Sequence, residues 1–356
     1  DLSTTGTGTV NVDLGTNGST VTGNAAAGYG VRETTGTGKV DFDAGNATVT
    51  AGARLETGGA INVKTDSATL TSTVGSALFI DGVSGGGALN ATTGAISTTT
   101  ATGGDGIHIE NVSGLVTLKT NGVISAAPNA GSDGIEIANS KGGVALTTNF
   151  AVSGDPGVTI SDNSAVGVTY DANADVTGLA GGILVTEGAL GGPVVVNLNG
   201  AGVDVDGGVG GNGIGITQNG AGTVIIDGDN ATQTIKGTGG ISVAGGATGA
   251  GITIGVLGKV DATAGVGIST TGGAATTADV NGTTGGISGT PGGAYDLDST
   301  AGKVKATGGI AISLSSTGGK AFELDTANVD GVGGGISVNN STGAGSVDID
   351  TTLGAV

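Results

Sequence analysis

The chain has 356 residues, of which 79 are Gly, none is Cys, Met or Trp, and only seven are aromatic, so bulky side chains cannot fill a conventional globular core. Its 30 acidic residues against 11 basic ones, a net charge of −19 with only two arginines, exclude nucleic acid and anionic membrane surfaces as partners, because no basic cluster is present to neutralise phosphates. The lack of Cys excludes disulfide staples and thiolate metal sites, and Gly without a Gly-X-Y period excludes collagen.

Taken along the chain, the first segment already alternates: Val10-Asn11-Val12-Asp13-Leu14 has period 2, which puts Val and Leu on one face of a strand and the polar residues on the other. Regularly placed Val and Ile, with a charged fraction of 12 %, favour order over disorder. The first clear repeat pairs Gly94 to Leu118 with Gly122 to Leu146, at an offset of 28 residues with 12 of 25 positions identical. Gly-Ile/Val openings recur at Ile107, Ile135, Val158, Ile183, Ile214 and Ile241, spaced 28, 23, 25, 31 and 27 residues apart. That is one repeat length with small insertions, the mark of a stacked architecture. Later segments keep the alternation, as in Val203-Asp204-Val205 and Val347-Asp348-Ile349.

Each alternating run lasts about four to six residues before Gly, Asn or Asp lets the chain corner. No segment carries a capped helical stripe. The pattern predicts an all-β chain, a right-handed parallel β-helix (β-solenoid) with about three short strands per coil of roughly 26 residues. It predicts one solenoid domain over residues 1–356, with roughly 13 coils and a length on the order of 60 Å. Small residues suit its narrow interior. No stretch approaches the roughly 20 apolar residues of a membrane span, so no membrane insertion is expected. The chain begins at Asp1 in sequence that already reads as coil, which predicts a processed segment whose targeting signal is not shown.

The run from Gly104 to Ser125, of the form G-x-G-I-x-I-x-N-x-x-G-x-V-x-L-x-x-x-G-x-I-S, resembles the passenger regions of bacterial autotransporters and related exported β-helix adhesins. The resemblance covers nearly the whole chain and rests on fold pattern and composition. It implies an extracellular, cell-surface location and structural or adhesive work. The chain departs from the pattern in lacking a C-terminal translocator barrel and an N-terminal secretion module.

Chemistry-bearing residues are few. His108, the only histidine, is expected to point outward beside Glu110, with Glu136 about 4.8 Å away in the next coil. That arrangement is either an acid–base dyad or an exposed ion pair between coils. Asp-x-Asp pairs occur at Asp41/Asp43, Asp204/Asp206, Asp227/Asp229, Asp296/Asp298 and Asp348/Asp350. Such pairs could ligate Ca²⁺ or act as glycosidase carboxylates; the plainer reading is solvated faces and corner residues. Asp105 and Asp133 align in successive coils and mark either a cation or an Asx-type turn, the turn being favoured. The Ca²⁺ candidates are therefore Asp105, Asp133, Asp204, Asp206, Asp227 and Asp229, and no other cofactor is expected. Asn111 and Asn139 align as a side-chain ladder. Gly207 to Gly213 is not followed by a helix, so it is not a phosphate loop. Thr-x-Thr pairs at Thr5, Thr48 and Thr69 would make ice-binding hydroxyl arrays only if they shared one phase of the repeat, and by sequence spacing they do not.

The expected function is thus a non-enzymatic structural or adhesive solenoid that associates with itself or with neighbouring domains through its ends, or meets host or cell-surface ligands. A polysaccharide-active enzyme using outward Asp carboxylates is the alternative, though two arginines and no Trp poorly equip it to hold sugars. A Ca²⁺-dependent surface-layer component is a further one.

Overall fold

The computed structural model describes residues 2–3, 6–15, 18–23, 29–99, 104–127, 129–246, 251–316, 319–341 and 345–351. Among them every regular element is a β-strand, and the strands stack in parallel as a β-solenoid of about 12 turns of roughly 26 residues.

One coil shows why. Ile107–Val112, Val116–Thr120 and Ile124–Ser125 form its three sides. Each pairs in register with its equivalent one coil on: Ile107 with Ile135, Val116 with Val144, and Ile124 with Val152. A lone coil has no partner for its backbone groups or its inward side chains, whereas a stack satisfies both. The inward residues Ile107, Ile109, Val116, Leu118 and Ile124 are all buried, and each full burial contributes about 1.5–3 kcal/mol.

The chain comprises two compact units, Asp1–Leu179 and Ala180–Val356. In the first, one side is built from the parallel strands Val31–Thr34, Ala53–Glu56, Leu78–Gly86, Ile107–Val112, Ile135–Ser140 and Val158–Asp162. In the second, the corresponding side runs from Ile183–Glu187 through Asn212–Gln218, Gly239–Ala244, Ile268–Gly272, Ile287–Pro291 and Ile310–Ser316 to Gly334–Asn340.

Two features differ from the sequence reading. Several corners do not interrupt the strand: Ile61–Ser72 is continuous over 12 residues, and the turn is absorbed by a register shift between Thr93 and Ala95 of the strand stacked on it, as a bulge permits. The interior is also wider than small residues require. Phe42, Tyr170, Tyr295 and Phe322 lie inside it, at most 2 % exposed, and the Tyr170 hydroxyl lies 3.1 Å from Thr148 Oγ1, which satisfies its polar end.

The recurrent Gly before each Ile/Val opening has a packing cause. A Cβ on Gly106 would stand 2.5 Å from the Gly134 carbonyl oxygen and 2.6 Å from Ile124 Cγ2; Gly134 meets Gly157 and Val152 in the same way. The first strand thus enters where the third strand's methyl groups leave room for a hydrogen only.

Candidate functional site

Outward positions of the first side stack as strictly as inward ones. Arg32, Arg54, Phe79, His108, Glu136 and Thr159 occupy one register column. It therefore collects both arginines of the chain and its only histidine. Parallel strands about 4.8 Å apart bring equivalent side chains face to face. The Phe79 and His108 rings stack at 5.0 Å and 6°. On the other face of Phe79, the Arg54 guanidinium lies 4.2 Å from the ring centroid. Glu56, outward in the next column, accepts from Arg54 Nε at 2.8 Å.

At the end of this column three side chains converge. Asp105 sits two residues before the strand that carries His108. Its Oδ2 lies 2.8 Å from His108 Nδ1, and Glu136 Oε2 lies 2.8 Å from the same nitrogen. His108 Nε2 faces Glu110 at 3.7 Å. Burial pulls the imidazole pKa down, but the hydrogen bonds and charges of Asp105 and Glu136 outweigh it and raise it to about 10. Donation from His108 in turn holds Glu136 below the usual carboxylate range. Burial, reinforced by the charges of Asp105 and Glu136, pushes neighbouring Asp133 up to about 7.

Asp105 itself is fixed by the stack. Its Oδ1 accepts from the Asp133 backbone N–H at 2.9 Å, and its Oδ2 accepts from the Ser76 hydroxyl at 3.3 Å. Asp105 and Asp133 are each 6 % exposed. The aligned pair is therefore a hydrogen bond between coils, not the Asx-type turn expected.

His108 likewise departs from the expected exposed ion pair. Its side chain is only 18 % exposed, because Phe79 covers one face and Asp105 reaches round the corner. Two carboxylate oxygens 2.8 Å from Nδ1 favour the protonated ring, which has no lone pair to take a proton as a general base, so the arrangement is an ion-paired cluster more than a dyad. The neighbour that sequence reasoning missed is Asp105, three residues before His108. The detectable signal was the shared motif Asp-Gly-Ile at Asp105 and Asp133, which puts both carboxyls at a corner rather than on a strand.

The other Ca²⁺ candidates take separate partners. Asp204 Oδ1 accepts from the Thr234 N–H at 2.8 Å. Asp206 pairs with Lys236 at 3.0 Å and accepts from the Gly208 N–H at 2.9 Å. Asp227 and Asp229 are exposed. Asp43 and Asp298 accept from the N–H two residues on, as Asp206 does, so in three of the Asp-x-Asp pairs the second Asp holds a corner. A groove of about 360 Å³ over Asp41, Asp43, Asn62 and Lys64 is lined by groups already paired: Asn62 with Asp41 at 2.7 Å and Lys64 with Asp43 at 3.2 Å.

Asn139 Nδ2 donates to Asn111 Oδ1 at 2.7 Å, as the alignment predicted. A second ladder, Asn173 to Asn149 to Asn121, runs at 2.8 Å per step. The threonine expectation needs correction: Thr20-Val21-Thr22, Thr48-Val49-Thr50 and Thr69-Leu70-Thr71 do share one phase, in register over three coils. Unequal coil lengths hid this in the sequence; Thr5 lies outside the described residues.

These features define a class, the parallel β-solenoids, whose polar residues are ordered in columns along the stacking direction. Compared with protein-family models, curated proteins and solved structures, the chain matches none.

Proposed function

We propose that the chain is a non-enzymatic structural or adhesive β-solenoid, acting outside the cell as a surface or matrix element in the manner of the autotransporter passengers that its coils resemble. The observation that carries this reading is where its polar chemistry is placed. The Asn111–Asn139 and Asn121–Asn149–Asn173 ladders and the Asp105 contact to Asp133 all run from coil to coil, which gives cohesion along the stack. The absence of Cys suits an oxidising compartment, and a net charge of −19 keeps a repetitive surface soluble.

Self-association fits the same reading. Val347 and Ile349 stand in register on Phe322 and Leu324, yet are 46 % and 43 % exposed where the residues beneath are at most 1 % exposed. A strand of a second copy pairing along that edge would cover both side chains. Negative-stain electron microscopy of the purified chain, with and without a calcium chelator, tests the proposal. Fibres, or isolated elongated particles that adhere to cell surfaces, support it, and fibres lost on chelation would make the Asp pairs ligands. Turnover of a polysaccharide by the purified chain would overturn it.

A further inference from the structure

The group around His108 gathers more negative charge than it balances. Asp105, Glu136, Glu110 and the buried Asp133 present four carboxyl groups around one imidazole. Nδ1 carries a single hydrogen, and two carboxylate oxygens at 2.8 Å compete for it. Asp105 Oδ2, His108 Nδ1 and Glu136 Oε2 all lie within 4.8 Å of one another, the one such group among the described residues.

Two metal–ligand bonds near 2.1 Å at the tetrahedral angle separate their donor atoms by about 3.4 Å; each carboxylate oxygen, 2.8 Å from Nδ1, would draw back by about 0.6 Å to admit the ion. The support is rigid as well. The Asp133 N–H and the Ser76 hydroxyl hold Asp105, and Phe79 stacks on the imidazole at 5.0 Å. Outer contacts of this kind orient ligands before a metal arrives.

We propose that Asp105, His108 and Glu136 bind one divalent transition-metal cation of borderline softness, such as zinc or cobalt, through one imidazole nitrogen and two carboxylate oxygens. The Nδ1 lone pair forms the metal bond, and the proton it carried leaves to solvent. The ligand set selects against Ca²⁺, which takes six to eight oxygens. Since Asp105 and His108 belong to one coil and Glu136 to the next, the ion clamps two coils together.

The test uses the full chain stripped of metal with a chelator. Isothermal titration with zinc chloride is expected to show one equivalent bound, weakened at least roughly tenfold in His108→Gln and in Glu136→Gln. Both positions lie on the outer face, and circular dichroism of the metal-free variants verifies their fold. A readout independent of variants exists because the chain has a single histidine: zinc should shift the imidazole Nδ1 resonance of the unmodified protein, and calcium should not. Absence of zinc binding below millimolar concentration, an unmoved Nδ1 resonance, or equal binding by both variants would each overturn the proposal, the last by placing the ion on surface carboxylates.

Discussion

Glu33 shows how costly one misplaced polar group is in a stacked core. It stands in the inward column where the next coils place Leu55 and Ile80, is 0 % exposed, and neither carboxyl oxygen has a hydrogen-bond partner among the described residues. Burial, and secondarily the charge of Asp41, raises its pKa from 4.5 to about 8. A raised pKa means that the folded chain keeps a proton that the unfolded chain releases. The group's contribution is therefore fully present below pH 4.5 and is lost as pH rises to about 8. Glu33→Leu should remove that slope and stabilise the chain at pH 8 by roughly 1–3 kcal/mol, with a smaller gain at pH 4. Urea denaturation at both pH values checks this; an unchanged slope in the variant would count against it. Asn111 is the opposite case. It adopts φ +58°, a conformation that Asn tolerates better than most residues, and its amide joins the ladder. Asn111→Ala should cost about 1–2 kcal/mol in thermal denaturation and Asn111→Gly less, because Gly restores the backbone though not the hydrogen bond.

For single strands, the energetics are those of interlocked columns. Ile137 lies between Ile109 and Ile160 and is 0 % exposed. Ile137→Ala should cost about 2–5 kcal/mol and Ile137→Val about 0.5–1.5 kcal/mol, measured as loss of unfolding free energy. The strand entrance is tighter still. Gly134→Ala would drive a methyl group to 2.5 Å from the Gly157 carbonyl oxygen, so the coil must shift, and the loss should reach about 1–3 kcal/mol. These elements were largely legible in the sequence. Period-2 runs such as Ile107-His108-Ile109 located strands, and the Gly-Ile openings located their starts. The corner that continues through Ile61–Ser72 was not legible, because a bulge leaves alternation intact on both sides and no Gly marks it.

For the molecule as a whole, stability is a sum over coils and the contacts between neighbours. The strand Val347–Asp350 pairs with Phe322–Gly331 and leaves Val347 and Ile349 exposed. If a second copy adds here, Ile349→Pro removes an edge donor and should abolish fibres under the electron microscope; fibres persisting in that variant would exclude strand pairing at this edge. Because every copy carries a net charge of −19, raising salt should screen repulsion and speed fibre growth, which light scattering against ionic strength would record.

Alternation, repeat length and composition by themselves determined the all-β solenoid, its three-sided coils and the inward columns of Val and Ile, since each is a local property repeated along the chain; that the interior also holds Phe42, Tyr170, Tyr295 and Phe322 was not readable from composition. The Asn111–Asn139 ladder was equally readable, because an undisturbed offset of 28 residues separates its members. Only the tertiary structure decided which outer residues meet. Coil length changes at the corners, as Ile268 stacking on Ile287 and Ile183 on Ile214 show, and spacing alone does not reveal which corner absorbs each insertion. Hence the column of Arg32, Arg54, Phe79 and His108, the threonines in common phase, and the approach of Asp105 to His108 and Glu136 emerged only once backbone pairing had set the register.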